Sequence, residues 1–151
     1  MRQLLITAFE DAVAQIKAEE VRMPLPRWNE SVFRFMYSRA VATLEPDVTQ
    51  LFECNRIDLV LHRGSERALV EFKFYTHSVA CDAMTGSQVG MKGYPSPKNC
   101  REFKKCVETL RRRSAPPDVL KLVALFYADP VAATQKNMKY VMEMVPALKM
   151  N

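Results

Sequence analysis

Three charged residues sit in two apolar segments that would be expected to hold none. Asp58 lies within Ile57-Asp58-Leu59-Val60-Leu61, and Glu71 and Lys73 lie within Leu69-Val70-Glu71-Phe72-Lys73-Phe74. Strand side chains alternate between faces, so Glu71 and Lys73 point one way and Val70, Phe72 and Phe74 the other. The polar connection His62-Arg63-Gly64-Ser65-Glu66-Arg67 joins the segments as a hairpin. If Gly64-Ser65 forms the centre of the turn, with glycine first as a type II′ turn prefers, Leu61 pairs with Ala68 and Asp58 falls opposite Glu71. Opposed residues hold their Cβ atoms about 4.5–5.5 Å apart, and two carboxylates at that spacing repel unless a cation, a proton or bulk water relieves them. A divalent metal site with a lysine beside it is the chemistry that suits this pattern. The plainer alternative is a solvated strand face on which Lys73 is a cross-strand ion-pair partner.

Other elements must position these residues. Residues 3–20 read as an amphipathic helix, with Leu5, Ala8, Phe9, Ala12, Val13 and Ile16 on one stripe and Pro24 and Pro26 beyond its end. A second helix begins near Asn29, a good N-cap, with Trp28 and Phe33 placed as a hydrophobic staple. Its stripe is Phe33, Met36, Tyr37, Ala40, Val41 and Leu44, and Glu30 extends that stripe inward at the helix start. Glu30 is therefore either a third ligand or a first-turn acid complementing the helix dipole. Glu53, on a weakly patterned strand over 48–54, is a lesser substitute for it. Residues 76–95 form a long polar stretch with Gly86, Gly90 and Gly93, read as a loop. Ser96-Pro97 starts a helix with the apolar stripe Cys100, Phe103, Val107 and Leu110, which Ala115-Pro116-Pro117 stops. Val119 to Tyr127 reads as a buried strand, and residues 130–145 as a last helix. The order is helix, helix, three-strand meander, helix, strand, helix: one α/β domain over 1–151 with helices packed on a mixed sheet.

Composition sets outer limits. At 151 residues the chain can bury a real core, and 48% hydrophobic with 26% charged residues is ordinary for a soluble globular domain. No apolar run approaches bilayer-crossing length, and the start Met1-Arg2-Gln3-Leu4-Leu5-Ile6 lacks a signal-peptide pattern, so the expected location is cytoplasmic, with no membrane partner. The net charge of +5 permits a polyanionic partner. Lys98, Arg101, Lys104 and Lys105, with Arg111 to Arg113, read either as a phosphate-contacting surface or as a solvated helix face. Cys54, Cys81, Cys100 and Cys106 show no CxxC spacing and read as reduced thiols, although His77 and Cys81 stand four apart as a weak zinc pattern.

An acid on a helix (Glu30), an Asp in one strand (Asp58) and Glu-x-Lys in the next (Glu71-Phe72-Lys73), followed by a helix and a strand, resembles the PD-(D/E)XK nuclease superfamily over roughly residues 28–128. The 97–113 helix carries none of the glutamine motifs found there in some subfamilies. The resemblance implies a restriction-endonuclease-like mixed central sheet flanked by helices, and a metal-dependent nuclease hydrolysing phosphodiester bonds, with DNA as the substrate. Mg²⁺, or Mn²⁺ in its place, would be held by Asp58, Glu71 and Glu30, because these are hard oxygen donors. Lys73 would serve as electrostatic stabiliser, its neighbouring acids keeping it protonated. Lys98, Arg101, Lys104 and Lys105 would bind the nucleic acid, and because 151 residues leave little room for a separate recognition domain, sequence choice would come from the 76–95 loop, a homodimer or a protein partner. The alternative is a catalytically inactive module of the same fold that binds nucleic acid or a protein partner.

Overall fold

Leu4, Leu5, Ala8, Ala12 and Ile16 recur at helical spacing and form the buried stripe of α1 (Arg2–Glu19). The structure, a computed structural model, describes residues 1–19, 29–76, 78–81, 83–92, 97–113, 116 and 118–128; for residues 75–76, 78–81, 88–92 and 126–128 it describes the backbone alone. Helix α2 (Glu30–Leu44) starts at Asn29, whose extended backbone (φ −140°) lets its side chain accept the N–H of Val32 at 3.0 Å. The predicted stripe is buried at Phe33, Tyr37, Ala40 and Val41, whereas Leu44 in the last turn is 39% exposed.

The meander follows as β1 (Thr49–Cys54), β2 (Ile57–Arg63) and β3 (Glu66–Thr76). Asn55 (φ +52°) and Arg56 (φ +65°) form the two-residue connection between β1 and β2, both left-handed as a type I′ turn demands. Gly64 (φ +56°) leads the connection between β2 and β3, and Leu61 pairs with Ala68 as predicted. The stretch predicted as a loop over 76–95 instead holds a second antiparallel pair, β4 (Ser78–Cys81) and β5 (Gln88–Lys92). Its turn is closed by Gly86 (φ +67°) and by Ser87, whose N–H donates to the Thr85 hydroxyl at 3.3 Å. Strands of four and five residues leave too short a hydropathy pattern to distinguish from a polar loop. Helix α3 (Pro97–Arg112) buries Cys100, Phe103, Val107 and Leu110 as expected. Strand β6 (Leu120–Ala128) runs parallel to β3, giving the order β1-β2-β3-β6. Because β6 is an edge strand among the described residues, only Ala124 of its described side chains is fully buried. The expected Trp28 staple, Ser96 cap and 130–145 helix lie outside the described residues.

The architecture is mixed α/β, with helices on both faces of the four-strand sheet. Leu59, Leu61, Ala68, Val70 and Phe72 face α1 and α2 in the main core. Phe72 meets Phe33 and Tyr37 edge-on, at centroid distances of 5.6 and 5.2 Å, and the Tyr37 hydroxyl donates to the Leu5 carbonyl at 3.2 Å. On the other face, Val60 and Ile57 pack with Leu110, and Val123 and Leu125 with Phe103 and Val107. Alternation thus buries one side of β2 and β3 under α1 and α2. It directs Asp58, Glu71 and Lys73 to the side covered by α3. No helix among the described residues is long and apolar enough to cross a membrane.

Candidate active site

The β2–β3 ladder ends at Leu59 opposite Val70, and one further step in the same register sets Asp58 opposite Glu71. Beyond that point the Asp58 side chain takes over from the backbone: its Oδ2 accepts the N–H of Phe72 at 2.8 Å. Asp58 is no solvated acid, because its side chain is only 17% exposed. Glu71 is half-buried beside it. Burial first, and then the negative charge of Asp58, push the Glu71 carboxyl up to about 7 against the pull of Lys73 and Arg113. Two hard carboxylates meet here with less water than they need.

Lys73 shares the Glu71 face, and its ammonium donates to the Phe72 carbonyl at 2.7 Å. It stands 3.6 Å from the Glu30 carboxylate, which arrives from the first turn of α2 and also accepts the N–H of Phe74. Burial raises the Glu30 carboxyl above its ordinary value, Lys73 lowers it and Asp58 raises it. The structure therefore gathers all four predicted residues, Glu30, Asp58, Glu71 and Lys73, at one end of the sheet.

A cleft of about 280 Å³ opens over Glu71 and Lys73, walled by Glu102, Lys105, Cys106 and Thr109 of α3 and by Arg56 of the β1–β2 turn. Of the four predicted nucleic-acid contacts, Lys105 lines this cleft. Lys98 and Arg101 lie seven and four residues before it on the exposed face of α3, and Lys98 pairs with Glu102 at 3.9 Å. Lys104 is exposed a step further round the helix. Cys106 points its thiol at Glu71 Oε2, 3.9 Å away. Burial, then the surrounding acids, push that thiol up to about 11 despite Lys73, so it stays neutral near pH 7.

Sequence reading passed over Arg34. One turn after Glu30, its guanidinium hydrogen-bonds Glu53 and lies 3.4 Å from Asp58 Oδ1. The available signal was the four-residue spacing from Glu30, which puts both side chains on one helix face. Glu53 sits between the pairs Phe52–Leu59 and Cys54–Ile57, across from Asp58, with its backbone at φ +51°. Reading Asn55-Arg56 as a two-residue turn would have found that register.

Among the described residues, no three His, Cys, Asp or Glu side chains converge as a ready-made metal cage. Mg²⁺ is commonly held by one or two carboxylates together with water and substrate phosphate, so the Asp58–Glu71 pair is a donor set of the right kind. Cys54, Cys100 and Cys106 are free thiols, and the side chains of His77 and Cys81 lie outside the described residues. Compared with known proteins, the chain matches no family model, no curated protein and no solved structure.

Proposed function

We propose that this chain is a metal-dependent nuclease of the restriction-endonuclease-like kind, hydrolysing phosphodiester bonds in DNA. The observation that carries this reading is the Asp58–Glu71 pair on abutting strands, with Lys73 on the same face of a cleft that Arg56 and Lys105 also line. The order of helix, antiparallel meander, helix and parallel fourth strand supports the fold reading. Asp58 and Glu71 would hold Mg²⁺ or Mn²⁺, with Glu30 close enough to Lys73 to contribute from the helix. Bound there, the cation would supply Lewis acidity toward a phosphoryl oxygen and make a nearby water more acidic.

The chain's own residues do the rest. Phe72 N–H fixes one oxygen of Asp58, so the carboxylate keeps its orientation. Glu30 and the Phe72 carbonyl hold the Lys73 ammonium at the cleft floor. From there it favours charge developing on phosphate oxygens. Lys105 and Arg56 offer the cleft wall to the phosphate backbone, while Arg101, Lys98 and Lys104 extend the positive surface along α3. Cytoplasmic location and recognition through a second copy or a protein partner belong to the same proposal.

Calorimetric titration with Mn²⁺, paired with plasmid and single-strand cleavage, tests it. The intact chain is expected to bind Mn²⁺ and to cut, Asp58→Ala and Glu71→Ala to lose both, and Lys73→Ala to lose cutting while keeping the metal. Mn²⁺ binding without cleavage of any nucleic acid would favour the inactive binding module, and no binding would defeat the metal site.

A further inference from the structure

We infer that Arg34 is the resident counter-charge of Asp58: its guanidinium is shared between Asp58 and Glu53 when no divalent cation is bound, and passes wholly to Glu53 when one is. This rests on the metal-binding reading above and adds to it a reason for two residues that reading does not use.

The two oxygens of Asp58 have different surroundings. Oδ2 is tied to the Phe72 N–H at 2.8 Å, so the carboxylate cannot swing away. Oδ1 is the oxygen left for a cation, and Arg34 Nη1 already stands 3.4 Å from it. That separation is long for a charge-assisted hydrogen bond, so the contact is a loose one. The same Nη1 is bonded to Glu53 Oε1. One guanidinium nitrogen thus spans two carboxylates and holds the outer one more closely.

An arginine does not lose its proton at any relevant pH, so it vacates Asp58 only by moving. Glu53 is placed to receive it. Its side chain is 63% exposed, against 17% for Asp58 and 22% for Arg34, so a guanidinium handed to Glu53 moves toward water. The backbone of Glu53 supports a dedicated role. A left-handed φ of +51° at a non-glycine residue costs on the order of 1–3 kcal/mol and interrupts the ladder between two regular pairs. From this position the Glu53 carboxylate meets Arg34.

Calorimetric titration of the full chain with Mn²⁺, across a double-mutant cycle, tests the proposal. Arg34→Gln is expected to tighten Mn²⁺ binding about tenfold, and Glu53→Gln to weaken it several-fold because Arg34 then rests on Asp58 alone. In the Arg34→Gln background, Glu53→Gln is expected to change nothing. Unchanged or weaker binding by Arg34→Gln overturns the inference. So does a Glu53→Gln effect that persists in full in that background, which would make Glu53 a ligand or a general negative charge. Should Arg34→Gln fail to melt cooperatively without metal, Arg34→Met serves instead. It removes the charge but keeps the aliphatic stem, and must still bind Mn²⁺ more tightly than the parent. A parent chain that binds no Mn²⁺ defeats the metal reading itself, whereas binding that ignores Arg34 defeats this inference alone.

Discussion

Glu71 is a carboxyl that folding makes harder to ionise, and this fixes the sign of a pH effect. Its folded value of about 7 stands above the ordinary 4.5, so between those values the folded chain keeps a proton that the unfolded chain has released. Stability from this group is full below the ordinary carboxyl range, declines as the pH rises through about 7, and is flat beyond. Glu30 is shifted the same way and adds to the slope. Urea unfolding across that window should show Glu71→Gln flattening the decline and stabilising the chain at about pH 8 by about 1–3 kcal/mol. An undiminished slope would place the proton elsewhere. Mn²⁺ competes with that proton, so it should raise Tm more at about pH 8 than at about pH 5. Asp58, Glu71 and Lys73 were legible in the sequence because a charge set into an apolar strand must find a counter-ion, a proton or water. Arg34 was not, because an arginine four residues after a glutamate looks like any exposed helix pair until the sheet beneath it is known.

The elements show where local rules suffice. Asn29 caps α2 through the N–H of Val32, and the helix it starts delivers Glu30 and Arg34. Asn29→Ala should lower stability by about 1 kcal/mol in chemical denaturation, by leaving that N–H without its side-chain partner. Gly64 sits at φ +56° with open space where a Cβ would stand. Gly64→Ala should therefore cost about 1–2 kcal/mol from backbone strain alone. A larger loss would mean that the Asp58–Glu71 register had slipped. Cap and turn were both readable because each depends on residues adjacent in sequence. The β4–β5 pair was not, because its strands are only four and five residues long, too short for the alternation of Gln88-Val89-Gly90-Met91-Lys92 to stand out, and the Thr85-Gly86-Ser87 turn resembles an ordinary loop. The 39% exposure of Leu44 escaped for a different reason: a helical stripe says which face is buried but not how far the supporting layer extends.

For the molecule as a whole, the core and the charged face make separable demands. Phe72 is fully buried against Phe33 and Tyr37, and its backbone N–H and carbonyl hold Asp58 and Lys73. Phe72→Ala should cost about 3–5 kcal/mol in stability. On the proposed function, DNA affinity should fall steeply with salt, and removing the charges of Arg101 and Lys105 together should lower the slope of log K against log salt by about 1–2. Filter binding over a salt series reads this directly, and an unchanged slope would leave α3 as a solvated face. The parallel pairing of β3 with β6 has a kinetic consequence. Asp58 and Glu71 meet through a tight hairpin that can close in microseconds, whereas β6 can dock only after the β4–β5 pair and α3 have been made. During synthesis the two acids therefore become neighbours before α3 exists, so the part of their drying that α3 imposes falls on steps later than the closing of the hairpin.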